Sequence, residues 1–297
     1  MPIRVTTPAD RPAIAALWAA CFPFLLVSPE SLTAREEAPA RHALSLVHEE
    51  NGAIVGSGVT WRDVETAAAD AHLVTVLVAP EERGRGIGTA LADWLTSHQT
   101  AAGARKVTTR VAGDEGFAFA EQRGFRATRT ERISRLDLGG KPPAIPPLAE
   151  GLTARLLSEV DDLRAVHDLE SAVAADIPAD VPVVPSPYEE WLIEIIGDPR
   201  LDPAASIVVY DGDVAVALTE TERIGERVWS GLTGTRPSHR GLGLAKYCKA
   251  AGLARAKENG ATVAFTSNDA SNAPMLAVNT ALGYLPFAVQ RAMVREL

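Results

Sequence analysis

The chain has 297 residues, 46% of them hydrophobic and 23% charged, with a formal net charge of −9, which suits two domains with cores of their own and excludes a disordered chain. The acidic balance argues against nucleic acid, which calls for a basic face, and no apolar run or N-terminal signal pattern points to a membrane partner. Cys21 and Cys248 stand far apart without metal or redox spacing, which fits a reduced, cytoplasmic protein.

In chain order, residues 3–6 predict a short strand, and Thr7-Pro8-Ala9-Asp10 starts a helix through Ile14, Leu17 and Trp18. Residues 44–47 and 53–59 read as hairpin strands around Asn51-Gly52, a dipeptide that takes the left-handed turn a tight hairpin needs. The β-branched run Leu73-Val74-Thr75-Val76-Leu77-Val78 predicts a buried strand ending before Pro80. Arg83-Gly84-Arg85-Gly86-Ile87-Gly88-Thr89 then opens a helix carrying Ile87, Leu91, Trp94 and Leu95. Residues 106–111 form the next strand, and a short helix over 116–123 ends at Gly124-Phe125. Residues 137–147 are rich in glycine and proline without periodicity. This organisation predicts domains at 1–136 and 152–297, joined by a linker at 137–151.

The second half repeats the first. Residues 152–156 match the opening strand, Val160 to Leu163 opens the matching helix, and residues 187–196 predict an extra helix with Trp191 and Ile195 inward. Strands at 205–210 and 214–219 flank Asp211-Gly212, and a further strand covers 262–266. Pro237, Arg240 and Gly283-Tyr284 mirror Pro80, Arg83 and Gly124-Phe125 at nearly constant offset, the mark of an internal duplication. Trp18, Trp61, Trp94 and Trp191 read as packing residues.

A glycine turn between strand and helix is suited to an anion, because it brings backbone N–H groups close and adds the helix dipole. Arg83 and Arg85 add positive charge. A Walker loop would need Lys after Gly88, where Thr89 stands, and a dinucleotide fingerprint would need a third glycine at that same position. What remains, Arg-x-x-Gly-x-Gly after a Val-x-Pro strand end, recurring as Arg240-Gly241-Leu242-Gly243-Leu244-Ala245 after Thr-x-Pro, resembles the acyl-CoA loop of the GNAT acetyltransferase superfamily.

With its element order twice over, the chain is similar to the tandem members of that superfamily, of the mycothiol synthase type. The resemblance implies an α/β fold of two tandem GNAT units, each a twisted mixed sheet flanked by helices and parted between its fourth and fifth strands. It also implies direct acetyl transfer from acetyl-CoA (CoA as carrier) to an amine of a small molecule or peptide. By the same resemblance Val76, Leu77 and Val78 pair with pantetheine, and backbone N–H groups of Arg83, Gly84, Arg85, Gly86, Ile87, Gly88 and Thr89 hold pyrophosphate. In the second half these roles fall to Thr233, Gly234 and Thr235, and to Arg240, Gly241, Leu242, Gly243, Leu244, Ala245 and Lys246.

The family's tyrosine acid is absent: Ala120 and Asn279 occupy the matching positions. Eight residues before the strand-end proline, where a glutamate often sits, stand His72 and Trp229. His72 can serve as a base at its ordinary pKa or be structural. Glu220 and Glu222 are the carboxylate candidates of the second half, the alternative being a solvated strand end. Asn268, Asn272 and Asn279 can cap a helix or hold the CoA arm, and this favours the second half as catalytic. Acceptor walls are expected from residues 22–41 and 172–187. A CoA-binding or metabolite-sensing protein without turnover is the alternative function. A monomer with an internal pseudo-dimer, or a homodimer, is expected.

Overall fold

The computed structural model describes residues 3–38, 41–63, 70–174, 176–178 and 183–297. Its contacts divide the chain into two compact units, residues 1–131 with 289–297 and residues 132–288. Residues 137–151 therefore lie within the second unit.

The first unit runs β1 (Ile3–Val5), α1 (Arg11–Cys21), α2 (Pro29–Glu37), β2 (Leu44–Glu50), β3 (Ala53–Arg62), β4 (Ala71–Val78), α3 (Ile87–Ala101), β5 (Lys106–Ala112) and α4 (Asp114–Glu121). It also takes the first half of β6 (Arg126–Asp137) and the end of β12 (Leu285–Glu296). Its strands lie in the order β1-β2-β3-β4-β5-β12-β6. Asn51 and Gly52 both have positive φ, 51° and 79°, which closes the β2–β3 hairpin with the twist its strands require. Successive residues of β2 point to opposite faces: Val47 packs with Ile14, Leu17 and Trp18 of α1, while Leu46 packs with Ile87, Leu91 and Leu95 of α3. Gly56 and Gly58 allow α3 to lie close, since a Cβ at either would stand 2.8 Å from Ile87 Cγ2 or Leu95 Cδ1.

The second unit repeats that order as β7 (Leu152–Leu156), α5 (Leu163–Ala174), α6 (Tyr188–Trp191), β8 (Ile207–Asp211), β9 (Val214–Ile224), β10 (Arg227–Thr235), α7 (Leu244–Glu258), β11 (Val263–Asp269) and α8 (Ala273–Ala281). With the second half of β6 its strand order is β6-β11-β10-β9-β8-β7. Val166, Leu169 and Val173 of α5 join Trp191, Val208 and Leu218 in one core; Leu244, Cys248 and Ala251 of α7 pack with Ile207, Val209 and Ala217 in another. Adjacent residues of β8 and β9 again divide between the two faces.

Two local expectations change. The helix predicted over 187–196 is one α-turn that widens into a π-helical turn at Leu192–Ile196, leaving Ile193 67% exposed. Trp94 is not a core residue: it is 40% exposed and stacks on His98 at 6.0 Å. The buried stripe of α3 advances in steps of four through Ile87, Leu91, Leu95 and Gln99, which leaves position 94 at its margin.

The last strand of the chain serves the first unit. Gln290 to Glu296 pair antiparallel with Ala112 to Lys106 along all of β5. Deleting residues 289–297 will therefore strip hydrogen-exchange protection from β5 and β4, while β8 and β9 keep theirs. Loss confined to the second unit would contradict this assignment.

Candidate active site

In each unit a parallel pair of neighbouring strands parts early. β4 meets β5 only at Ala71–Lys106, His72–Val107 and Leu73–Thr108, although both strands continue. β10 meets β11 only at Arg227–Val263, Val228–Ala264 and Trp229–Phe265. Beyond these points no further pairing of β4 with β5 or of β10 with β11 is made among the described residues, and an extended ligand fits beside such a strand edge.

The ladders decide which residues offer them. In an antiparallel pair both polar groups of a residue point to the same side, and the side alternates along the strand. The Ala79 N–H donates to Val55 O and the Arg236 N–H to Val216 O, which turns Leu77 toward β3 and Gly234 toward β9. Val76, Val78, Thr233 and Thr235 thus face the parting, whereas Leu77 and Gly234, expected to share that duty, do not. Gly234 has another reason to be glycine: its Cβ would fall 2.6 Å from Val173 Cγ2 of α5.

The two glycine loops have the same backbone. Gly84 and Gly86 have φ of 77° and 84°, Gly241 and Gly243 of 80° and 75°, the left-handed region that favours glycine. At all four a Cβ would meet nothing within 4 Å, so the glycines serve conformation and leave open space above the loop. Gly86 and Gly243 cap fifteen-residue helices. The first intrahelical bonds come from Ala90 and Tyr247, leaving the N–H groups of Ile87, Gly88, Thr89, Leu244, Ala245 and Lys246 without intrahelical partners. An anion fits this arrangement.

The loop arginines are engaged elsewhere. Arg83 Nε donates to Val78 O at 3.4 Å and Arg240 Nε to Thr235 O at 3.3 Å, the same strand-end pin in both units. Their outer nitrogens pair with Glu115 and Asp176, and Arg85 pairs with Glu50 and Glu82.

The second unit builds a site with two carboxyls in contact. The β9–β10 register shifts between Ser230 and Thr233, so Gly231 and Leu232 together oppose Glu220; the β3–β4 register runs without a shift. Such a bulge re-aims side chains and frees backbone groups. A Cβ on Gly231 would lie 3.6 Å from Glu220 Cβ, so the glycine makes room for the glutamate. The Leu232 N–H donates to the Glu220 carboxyl, which also meets the carboxyl of Glu170 on α5. Glu170 accepts from Trp191 Nε1 at 2.7 Å. Burial, then the Glu170 charge, pushes the Glu220 acid well above the usual carboxylate range. Two residues on, Glu222 pairs with Arg200 at 2.9 Å, and burial still raises its pKa. Neither glutamate is a solvated strand end.

The other predicted residues are placed differently. His72 lies on β4 opposite Arg62 with Nδ1 buried and unbonded. Burial, then the positive neighbours His98, Arg62 and His42, lowers its pKa below the ordinary 6.5. That weakens it as a base. Asn272 caps α8 by accepting from the Met275 N–H at 3.2 Å. Asn279, 2% exposed, donates through Nδ2 to Asn268 Oδ1 at 2.5 Å, while its own Oδ1 has no partner among the described residues. Of residues 22–41 and 172–187, positions 39–40, 175 and 179–182 lie outside the described residues.

The parted parallel pairs and capped glycine loops agree with comparison to known proteins: residues 11–125 match the Acetyltransferase (GNAT) family. These residues form a GNAT acetyltransferase domain. The chain is 29% identical over 231 residues to a mycothiol acetyltransferase of Actinosynnema mirum, covering 73% of this chain and 72% of that one. It is similar in fold to a GCN5-related N-acetyltransferase from Sphaerobacter thermophilus, with a TM-score of 0.75, 24% identity and coverage of 99% and 95% of the two chains. A tandem GNAT protein from the clavulanic acid biosynthesis pathway gives a TM-score of 0.76 at 20% identity, covering 99% of this chain and 98% of that one. In layout the chain is similar to that tandem GNAT protein. Among the described residues no helix is long and apolar enough to cross a membrane.

One group in the second GNAT-like unit escaped the sequence reading. Lys249 of α7 is 1% exposed, and its Nζ lies 3.4 Å from Thr266 Oγ1 and 5.6 Å from the Tyr284 ring centroid. Thr266 in turn donates to Ser230 O, where β10 and β11 part. Burial lowers the Lys249 pKa from 10.5 to about 7. The unfolded chain therefore binds more protons between those values, and folding stability from this group rises with pH across that window. Lys249→Met will stabilise the fold most below pH 7, by an amount on the order of 5 kcal/mol at the limit. The gain will vanish toward pH 10.5, measured by denaturant unfolding across pH. A pH-independent difference would show that Lys249 is not buried as the structure has it.

Proposed function

We propose that the chain is an acetyl-CoA-dependent N-acetyltransferase that moves an acetyl group directly to a primary amine of a small molecule or peptide. In this reading the halves are tandem GNAT domains at 1–136 and 152–297, joined by 137–151, and acetyl transfer occurs in the second. The observation that carries it is the bulge at Gly231-Leu232, which sets the buried Glu220 carboxyl beside the parting of β10 and β11. Thr233 and Thr235 would bind the pantetheine arm through backbone groups, and Arg240 through Lys246 the pyrophosphate. Val76, Val78 and residues 83–89 give the first unit the same capacity. Glu220 serves as base toward the acceptor ammonium, with Glu222 held by Arg200 beside it. Asn279 cannot give up a proton at neutral pH; its amide can only hydrogen-bond, so the leaving thiolate takes its proton from the acceptor nitrogen or water. A cytoplasmic location accords with two free cysteines, Cys248 buried and Cys21 partly so.

A second reading rests on Ala120 and Asn279, which leave both halves without the phenol found elsewhere in the family. Here the protein binds CoA without turnover. Titration calorimetry and a thiol-release assay over a panel of amines separate the two.

Acetyl-CoA is expected to bind at two sites per chain, Gly86→Val removing one and Gly243→Val the other, because valine resists the φ of 84° and 75° at these positions. Glu220→Gln is expected to leave binding intact and slow turnover by roughly 10²–10⁴-fold. Absence of binding would overturn both readings, and binding without thiol release on any amine would favour the second.

A further inference from the structure

Glu220 presents a difficulty as a lone base. It is buried in contact with a second carboxyl, and two carboxylates in contact cannot both stay ionised away from water. The surroundings decide where the proton rests. Glu170 accepts the indole N–H of Trp191 at 2.7 Å, which favours its charged form. Glu220 has one backbone donor, Leu232, and its Oε1 is buried with no partner among the described residues. The resting proton therefore sits on Glu220 and is donated to Glu170.

We infer that Glu170 and Glu220 form a two-carboxyl relay: Glu220 takes the acceptor's proton at Oε1 only as it passes its own proton to Glu170. This deepens the acetyl-transfer reading above and rests on it. Glu170 is then a positioning residue, since it meets the acceptor only through Glu220. The step balances. The ammonium loses one proton to Glu220 Oε1, and the proton held between the carboxyls moves to Glu170. The freed nitrogen lone pair forms the N–C bond, the C–S bond breaks, and sulfur leaves as thiolate. The nitrogen's surplus proton neutralises that thiolate, and the relay returns its own extra proton to water.

The neighbouring charges allow this. His167 on α5 has Nε2 at 2.8 Å from Ser186 O and Nδ1 at 3.9 Å from Asp168. Glu222 on β9 is paired with Arg200, which also pairs with Asp198 at 2.6 Å. Trp191 of α6 and Leu232 of β10 bring no charge. The relay thus holds one negative charge and one buried oxygen without a partner among the described residues, Glu220 Oε1, which suits an acceptor carrying a single ammonium.

Infrared titration of the carboxylic-acid band in the ligand-free full chain tests the shared proton without reference to activity. Wild type should show a late ionisation that falls by about one pH unit or more in both Glu170→Gln and Glu220→Gln, since each removes the like charge opposing it. Trp191→Phe, which removes the indole donor to Glu170 while keeping an aromatic ring in the core, should move that step upward. The acid limb of any acetyl transfer should rise in Glu170→Gln, with turnover recovering at higher pH, because Glu220 must then ionise alone. If the remaining carboxyl of each variant titrates where it did in wild type, the relay is wrong, whether or not acetyl transfer is found. Shifted steps without acetyl transfer to any amine would keep the shared proton and overturn the transferase reading.

Discussion

The structure depends on a parallel strand pair that is begun and then abandoned. Three residues of β4 and of β10 pair with their neighbours, and the remaining strand edge faces outward. An unpaired edge inside a folded unit is costly unless something completes it. The rest of each unit is arranged around that opening: a strand-end arginine pinned to the last carbonyl, a glycine loop bent into the left-handed region, and a long helix whose first N–H groups point outward. Together these features have a geometry that fits an extended, anionic ligand, and they recur in both units with an arginine and two left-handed glycines in each.

What distinguishes the units is side-chain chemistry added to that frame. A single register shift in β10 removes a pairing, places Gly231 beside Glu220 and turns a strand carboxyl into a buried acid. The uninterrupted β3–β4 ladder offers the first unit no such device, and His72, half-buried among positive neighbours, does not replace it. On the opposite face of β10 and β11, a buried lysine bonded to Thr266 and an asparagine pair occupy the wedge where the strands diverge. In the proposed reading, one inserted residue in one strand is what sets the second half apart for chemistry.

Much of the frame was legible because it is written in residue types with narrow backbone meanings. Asn51-Gly52, the paired glycines of each loop and the prolines at the strand ends located the hairpin, the helix caps and the duplication. The site was less legible. A strand glutamate such as Glu220 has the same local signature whether it ends in water or beside another acid; the bulge depends on how β9 registers with β10. Glu170 did carry a signal. It lies four residues after Val166 and three before Val173, on the buried stripe of α5, where an acid calls for a partner. Lys249 stands likewise four and seven residues before Leu253 and Ala256, both buried. The exchange of the last strand had no local signature, because β12 reads the same whichever unit it completes.

That exchange has a consequence for how the protein is made. Residues 289–297 are synthesised after the whole second unit, yet they occupy the place beside β5. The first unit leaves the ribosome early but cannot complete its sheet until translation has passed through its companion. Its β5 edge waits, exposed, for a contact of very high sequence separation, the kind that forms slowly and leaves a chain open to mispairing in the interval. The domain that emerges first is thus the one finished last, and a nascent chain stalled anywhere in the second half would present that bare edge to chaperones or to other chains.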